Sequence, residues 1–329
     1  MKTILVPGGA GFIGSHTVKA LHQHGYKSII LDNFSNGYKE SVLNGEVIEG
    51  DIRDSALLDK IFTEHNIDAV IHFAAFIEAG ESVVNPLSFY DNNTAGTLNL
   101  LQSMQKHKVE HIVFSSTAAV YGQPEEDDAL VETLPKLPIN PYGQTKWAVE
   151  CMLRDLAVSC TFKSIALRYF NAAGSDPSGQ IGELHEPETH LIPLVLQAAS
   201  GKRKNIKMFG TDYPTPDGTC IRDYIHVCDL ASAHVKALEY LFDRVEKTEG
   251  FYDAFNLGTG TGFSVREVIE TAKKVTGIDF DAIEEDRRPG DPAFLIANAS
   301  KANEILGWQP EYPKLEDMIK HAWAFLKNR

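Results

Sequence analysis

Gly8-Gly9-Ala10-Gly11-Phe12-Ile13-Gly14 stands directly after a short apolar run, TILV at 3–6, and at the head of a helical pattern over 12–24. That order of strand, glycine turn and helix decides the fold. Glycines at such a turn supply the tight bend, let backbone approach a pyrophosphate, and permit close contact of helix and strand. The N–H groups at the helix start then face phosphates. The spacing is G-x-x-G-x-x-G, which makes Gly8, Gly11 and Gly14, with Phe12 and Ile13 opening the helix, candidate dinucleotide-binding residues.

Outward from that turn, short apolar runs alternate with amphipathic stretches. SIIL (28–31), VIE (47–49), AVIHF (69–73), HIVF (111–114) and SIAL (164–167) read as buried strands. Helical patterns lie between them at 56–65, 88–107 and 142–159. Strand, helix and strand at this spacing predict right-handed crossovers and a doubly wound, Rossmann-like α/β fold with a parallel sheet covered on both faces. After residue 171 the texture changes. Gly, Pro and acidic residues crowd 174–188 (GSDPSGQIGELHEPE) and 210–218 (GTDYPTPDG), which read as loops. Helical patterns return at 191–199, 230–241, 265–276 and 315–326. The expectation is a dinucleotide domain over 1–171 and a smaller α/β substrate lobe over 172–329, with some segments returning to the first domain.

The second strand ends in Leu31-Asp32-Asn33, placing Asp32 roughly 20 residues after the glycines, where a carboxylate grips the adenosine ribose hydroxyls. That carboxylate would repel a 2′-phosphate, so NAD is preferred over NADP. Asp51 and Ile52 end the third strand, where an adenine edge could lie.

The strongest chemical signal is Pro141-Tyr142-Gly143-Gln144-Thr145-Lys146 at a predicted helix start. Tyr142 and Lys146 are four apart and share a helix face. A free phenol has a pKa of about 10, and lowering it to roughly 7 requires about 4 kcal/mol. Two cations, the Lys146 ammonium and an oxidised nicotinamide, each at around 7 Å and an effective dielectric near 20, together supply about 5 kcal/mol. Upstream, a strand runs into Ser115-Ser116-Thr117, where a hydroxyl can pass a proton between substrate and Tyr142. Ligands of open α/β sheets bind outside the strands' carboxyl ends, where these residues fall.

GGAGFIG, FSSTAAVYG, PYGQTK and LRYFN (167–171), in that order, resemble the extended short-chain dehydrogenase/reductase superfamily, and more narrowly its UDP-glucose 4-epimerases. EGDIRD (49–54), IHFAA (71–75), DNNTAGT (91–97), DGTCIRDYIHV (217–227) and RRPGD (287–291) fit that family too. The resemblance spans nearly the whole chain. It implies Tyr142 as base, Lys146 as its electrostatic partner and Thr117 as relay. It assigns Gly8, Gly11, Gly14, Asp32, Asp51, Ile52 and Asn93 to NAD, with Phe12, Ile13, Asn33, Phe73, Ala74, Ala75 and Phe170 beside them. For the UDP-sugar it implies Asn171, His190, Leu191, Phe209 near the uracil, Arg222, Arg288, Asp291 and Leu295. Guanidinium forks suit a diphosphate. Relatives are often homodimers through helices near 88–107 and 142–159.

Departures from the pattern bear on the site. Pro7 stands where Thr is usual, removing one backbone donor. Ile77 and Glu78 occupy a stretch where many relatives have Lys-Ala, which bears on a phosphate-side contact. His190 replaces an Asn that touches the nucleotide sugar. Leu295 sits where some relatives carry a bulky Tyr, leaving room for an N-acetyl group.

The implied reaction is reversible 4-epimerisation of UDP-glucose and UDP-galactose through a transient 4-keto sugar. UDP-N-acetylglucosamine and UDP-N-acetylgalactosamine, or UDP-glucuronate, are alternative substrates. A 4,6-dehydratase needs Asp-Glu directly after the Thr; Ala118 and Ala119 stand there and cannot transfer protons. A silent NAD-sensing protein would be expected to lose Tyr142 or Lys146.

The whole composition agrees with a globular enzyme of small anionic substrates. The 329 residues are 43% hydrophobic and 23% charged, with a formal net charge of −14. Such a surface repels nucleic acid and anionic lipid. Cys151, Cys160, Cys220 and Cys228 form no C-x-x-C pair and read as reduced thiols. No metal site is expected. Glycines interrupt the apolar N-terminal run, and no stretch approaches the roughly 20 apolar residues that span a bilayer. A cytoplasmic location is expected.

Overall fold

The computed structural model describes residues 1–123, 129–246, 248–288 and 291–329; Pro289 and Gly290 of the RRPGD stretch lie outside them. Seven parallel strands form the main sheet, in the order β10-β6-β5-β4-β1-β2-β3. They are β1 (Thr3–Pro7), β2 (Lys27–Asp32), β3 (Glu46–Glu49), β4 (Ala69–His72), β5 (His111–Ser115), β6 (Lys163–Tyr169) and β10 (Phe251–Leu257). Period-two alternation explains why both faces are covered. Ile4 and Val6 of β1 join one core layer, with Val18 and Leu21 of α1 (Phe12–Gln23) and Leu230, Val235 and Leu238 of α8 (Val227–Asp243). Leu5 points the other way, into a layer with Leu58 and Ile61 of α2 (Ser55–Glu64), Leu100 and Met104 of α5 (Gly96–Lys106), and Val149 and Leu153 of α6 (Pro141–Ser159).

Two features depart from the sequence expectation. The third strand is not buried: β3 pairs only with β2, at the sheet edge, and leaves Val47 41% exposed. The helix expected over 88–107 is broken. A short α3 (Ala79–Val84) and α4 (Pro86–Phe89) precede a single π turn at Tyr90–Ala95, from which α5 continues. Pro86 at the first position of α4 explains that start.

Past residue 171 the chain supplies both the seventh strand and α8 to the first body. β10 pairs with β6 over its full length, and α8 packs on α1. The remaining elements make a second body. There β9 (Ile221–His226) is flanked by β7 (Asn171–Ala173), β11 (Gly262–Ser264) and β13 (Phe294–Leu295), and β8 (Asn205–Phe209) pairs with β12 (Asp281–Glu285). Its core joins Val195 and Leu196 of α7 (Leu191–Ala199), Val268 and Ile269 of α9 (Val265–Thr276), and Met318 and Ile319 of α11 (Leu315–Lys327). The short α10 (Ser300–Leu306) packs back on β10.

Strand order reverses between β1 and β4, so the crossovers leave a crevice at their carboxyl ends. The site lies there.

Candidate active site

A cavity of about 330 Å³ runs along those carboxyl ends, within the range of small-molecule sites. Its floor is the glycine turn. Gly8 has φ +79, and a Cβ there would lie 2.4 Å from the backbone nitrogen of Ala74. A Cβ on Gly14 would meet the Gly8 carbonyl oxygen at 2.2 Å. Both positions therefore admit only glycine. Gly11 differs, because its nearest neighbour would stand at 3.4 Å and the space beyond is the cavity. Gly11 caps α1 without a side chain, and no acid occupies the first turn. The N-terminal N–H groups of α1 thus have no capping side chain and no carboxylate beside them, which suits a phosphate. Pro7 does not disturb this arrangement: its carbonyl accepts from Phe73 and Ala74 at 2.8 and 2.9 Å, and Gly8 N–H donates to Leu31.

Asp32 closes the ribose end. Its carboxylate is buried and accepts from the backbone N–H of Ala10 and of Phe34, each at 2.9 Å. Burial pushes its pKa up, against those two hydrogen bonds. Asn33 donates to Asp51 at 2.8 Å, and Arg53 grips Asp51 through Nε and Nη2 at 2.9 and 2.8 Å. That guanidinium holds the Asp51 carboxyl far below the usual range. Phe12, Ile13, Ile52, Phe73, Ala74, Ala75, Phe170 and Asn171 also line the cavity. The Asn93 amide accepts from Phe76 N–H at 2.8 Å and donates to the Phe76 carbonyl at 2.9 Å, which ties it to the cavity wall.

Tyr142 and Lys146 sit one turn apart at the start of α6, whose cap is Asn140 accepting from Gly143 N–H at 2.8 Å. Lys146 is buried; its Nζ donates to the Ser115 carbonyl at 2.8 Å and lies 5.0 Å over the Phe114 ring. Burial lowers its pKa to about 7, against the nearby Glu150 carboxylate. Burial pushes the Tyr142 phenol up to about 12, opposed by a hydrogen bond with Thr117 and reinforced by Glu78. The expected ionisation near 7 is therefore not a property of the polypeptide alone. In its desolvated site the phenol stays protonated until a further positive charge arrives.

The opposite wall comes from the 174–188 loop and the start of α7: Glu183, Leu184, His185 and His190. His190 Nδ1 lies 2.6 Å from Glu183 and His185 Nε2 lies 3.0 Å from Glu78. Glu188 and Glu78 push His185 up to about 9. Burial works against charge on His190, but Glu183 and Glu188 outweigh it and bring the ring to about 10.

The other substrate candidates fall into separate groups that do not line this cavity. Arg288 stacks 5.0 Å over the Phe209 ring, and Asp291 lies between Arg288 (2.9 Å) and Arg222 (3.5 Å). Leu191 packs into the second body's core. Leu295 packs with Val120, Tyr121 and Leu130, beside Phe170.

Sequence reading did not single out Ser35, Asn36, Gly37, Tyr169, Glu183 or His185, all on the cavity wall. For the last two a signal existed: Glu-x-His occurs twice, at Glu183-Leu184-His185 and Glu188-Thr189-His190.

A helix start open to phosphates, a carboxylate at the ribose position, and a buried Tyr–Lys pair over one sheet edge together serve a hydride carrier. The class is that of short-chain-type enzymes dependent on a nicotinamide dinucleotide. The family model described as "NAD dependent epimerase/dehydratase family" matches residues 4–258. The UDP-glucose 4-epimerase of Halalkalibacterium halodurans is 53% identical over 325 residues, covering 99% of this chain and 96% of that protein. The UDP-glucose 4-epimerase of Brucella ovis, solved in complex with NAD, superposes with a TM-score of 0.94 at 45% identity, over 98% of each chain. That of Bifidobacterium longum, in complex with NAD+ and UDP, gives 0.92 at 42% identity, over 99% of this chain and 98% of that one. The chain belongs to the NAD dependent epimerase/dehydratase family. Its cofactor is NAD, and the clearance at Gly11 and the uncapped start of α1 fit it.

Proposed function

We propose that this chain interconverts UDP-glucose and UDP-galactose by inverting C4 through a 4-keto sugar. Bound NAD supplies a reversible hydride acceptor and is regenerated in each cycle. Tyr142 takes the proton from the sugar O4, directly or through Thr117, whose hydroxyl favours the ionised phenol. Lys146, fixed by Ser115, stands one turn along α6 from Tyr142 and supplies positive charge there while it is protonated. The observation that carries the reading is this Thr117–Tyr142–Lys146 chain followed by Ala118 and Ala119, which provide no acid for elimination. Arg222 and Arg288 serve the diphosphate, with Phe209 against the uracil. In that role the diphosphate competes with Asp291 for both guanidinium groups.

Purified, NAD-loaded protein given UDP-galactose and no added oxidant is expected to form UDP-glucose. A verified NAD-loaded preparation that forms none sinks the substrate assignment.

The functional unit is a homodimer in this reading. Val83, Val84 and Leu87 are 64%, 72% and 81% exposed beside α6, and Val158 on α6 is 87% exposed. Exposed apolar side chains of this size on neighbouring helices are candidates for an interface. Light scattering coupled to gel filtration is expected to give about twice the 36.4 kDa chain mass, and Leu87→Glu to shift it toward monomer. A wild-type monomer at working concentration removes the dimer. The enzyme is placed in the cytoplasm, where its four free thiols remain reduced. Among the described residues no helix is long and apolar enough to cross a membrane.

A further inference from the structure

The double Glu-x-His of 183–190 folds into a cluster on the cavity wall, of which the proposed reaction calls on His190 alone, for the nucleotide sugar. His185, Glu188 and His190 each bring one donor atom within 4.8 Å of the other two. His190 Nδ1 lies 3.4 Å from Glu188 Oε1, and His185 Nδ1 lies 3.8 Å from the same oxygen. Donors about 2.1 Å from a shared tetrahedral ion stand about 3.4 Å apart. These are separations of ligands around a common ion, and they are too long for good hydrogen bonds.

Three independent features support a ligand at this point. The His185 side chain is only 10% exposed, and its Nδ1 has no hydrogen-bond partner while it faces Glu188. The other nitrogen of that ring, Nε2, lies 3.0 Å from the Glu78 carboxylate. A carboxylate behind a histidine is the arrangement that orients metal-ligating imidazoles. Glu188 is itself oriented, since its Oε1 accepts from the backbone N–H groups of Thr189 and His190 at 2.7 and 2.8 Å. Glu183 lies 2.6 Å from the same His190 Nδ1, a hydrogen bond that an ion bound there displaces.

We propose that His185, Glu188 and His190 form a binding site for a divalent first-row transition cation, zinc in the first instance, with Glu78 as the positioning residue behind His185. Two imidazoles and a carboxylate select zinc, cobalt or nickel over magnesium and calcium, which prefer all-oxygen shells. Glu78 precedes α3 of the first body, and the ligands come from the loop leading into α7 of the second. The ion therefore ties the two walls of the cavity together, and places positive charge where an anionic nucleotide sugar enters.

The test uses untagged full-length protein, chelator-treated and dialysed, titrated with zinc by calorimetry and with cobalt by visible absorption. The expected result is one ion per chain and a cobalt spectrum of low-coordinate nitrogen–oxygen ligation, without the thiolate charge-transfer band that the four cysteines would give. His185→Gln and Glu188→Gln are each expected to weaken zinc binding at least tenfold. Glu78→Gln is expected to weaken it about tenfold through His185 alone. The thermal transition of each variant establishes folding, and any one folded variant suffices. Absence of stoichiometric binding, a thiolate band, or equal affinity in wild type and folded variants overturns the site.

Discussion

Tyr142→Phe is expected to lower the UDP-galactose turnover number by about 10² to 10⁴-fold, the range contributed by a positioned general base. The substitution removes one oxygen from a largely buried ring and leaves Lys146 on Ser115 and the α6 cap intact. Bound NAD should be retained, so the loss should appear in kcat and not in cofactor content. Thr117 cannot substitute, because a serine or threonine hydroxyl without a base is a weak proton acceptor. Steady-state rates on preparations matched for NAD absorbance provide the measurement. Full-speed interconversion by the variant would mean that the proton is taken elsewhere.

The second large effect is expected at Gly14. An alanine Cβ there overlaps the Gly8 carbonyl oxygen at 2.2 Å and the Gly9 Cα at 2.8 Å. Both are backbone atoms and cannot swing aside, so the turn itself must open. Gly14→Ala should cost about 1–3 kcal/mol of stability, the usual cost of overpacking. It should also leave less than about a tenth of the chains with NAD, because the phosphate-facing N–H groups lose their alignment. Gly11→Ala is the informative control. Its Cβ meets nothing closer than 3.4 Å within the chain, so folding should be nearly unchanged while NAD content falls. Thermal denaturation together with cofactor released on acid denaturation separates the two outcomes. If both variants bind NAD normally, phosphate binding at this turn is refuted.

How far the sequence foretold this site depends on the length scale of each signal. The glycine turn, Asp32 and the Tyr142–Lys146 pair were legible because each is set by local geometry: a bend, a strand end, a helical repeat. The six-strand core was legible for the same reason, as in the alternation of Ile4, Leu5 and Val6. β10 was not, because its place beside β6 comes from 88 residues further along the chain, counting from Lys163 to Phe251. The exposure of β3 follows from its edge position, and VIE carries no mark of that. The hold of Phe76 on the Asn93 amide was not legible either, because only the folded π turn brings the two near each other. His185 and Glu183 fell in a stretch read as loop, where the repeated Glu-x-His was the one available sign. Burial adds to the ordinary cost of ionising a phenol, and periodicity gives no measure of desolvation.

That last point defines the central claim. Lys146 is part of the polypeptide and its pKa is lowered to about 7, so the charge that loading adds is the oxidised nicotinamide, about 2.4 kcal/mol at around 7 Å and an effective dielectric near 20, close to two pH units at about 1.36 kcal/mol each. Starting from about 12, the Tyr142 phenol of NAD-loaded protein should then titrate at about 10. Because the ionised form is the base, kcat should fall as pH drops through that value. The direct measurement is the phenolate absorbance difference between wild type and Tyr142→Phe, followed against pH with NAD bound and with NAD removed. A transition at about pH 10 in the loaded protein, absent below about pH 11 in the stripped protein, is the predicted result. Coincident titrations in the two forms would contradict it.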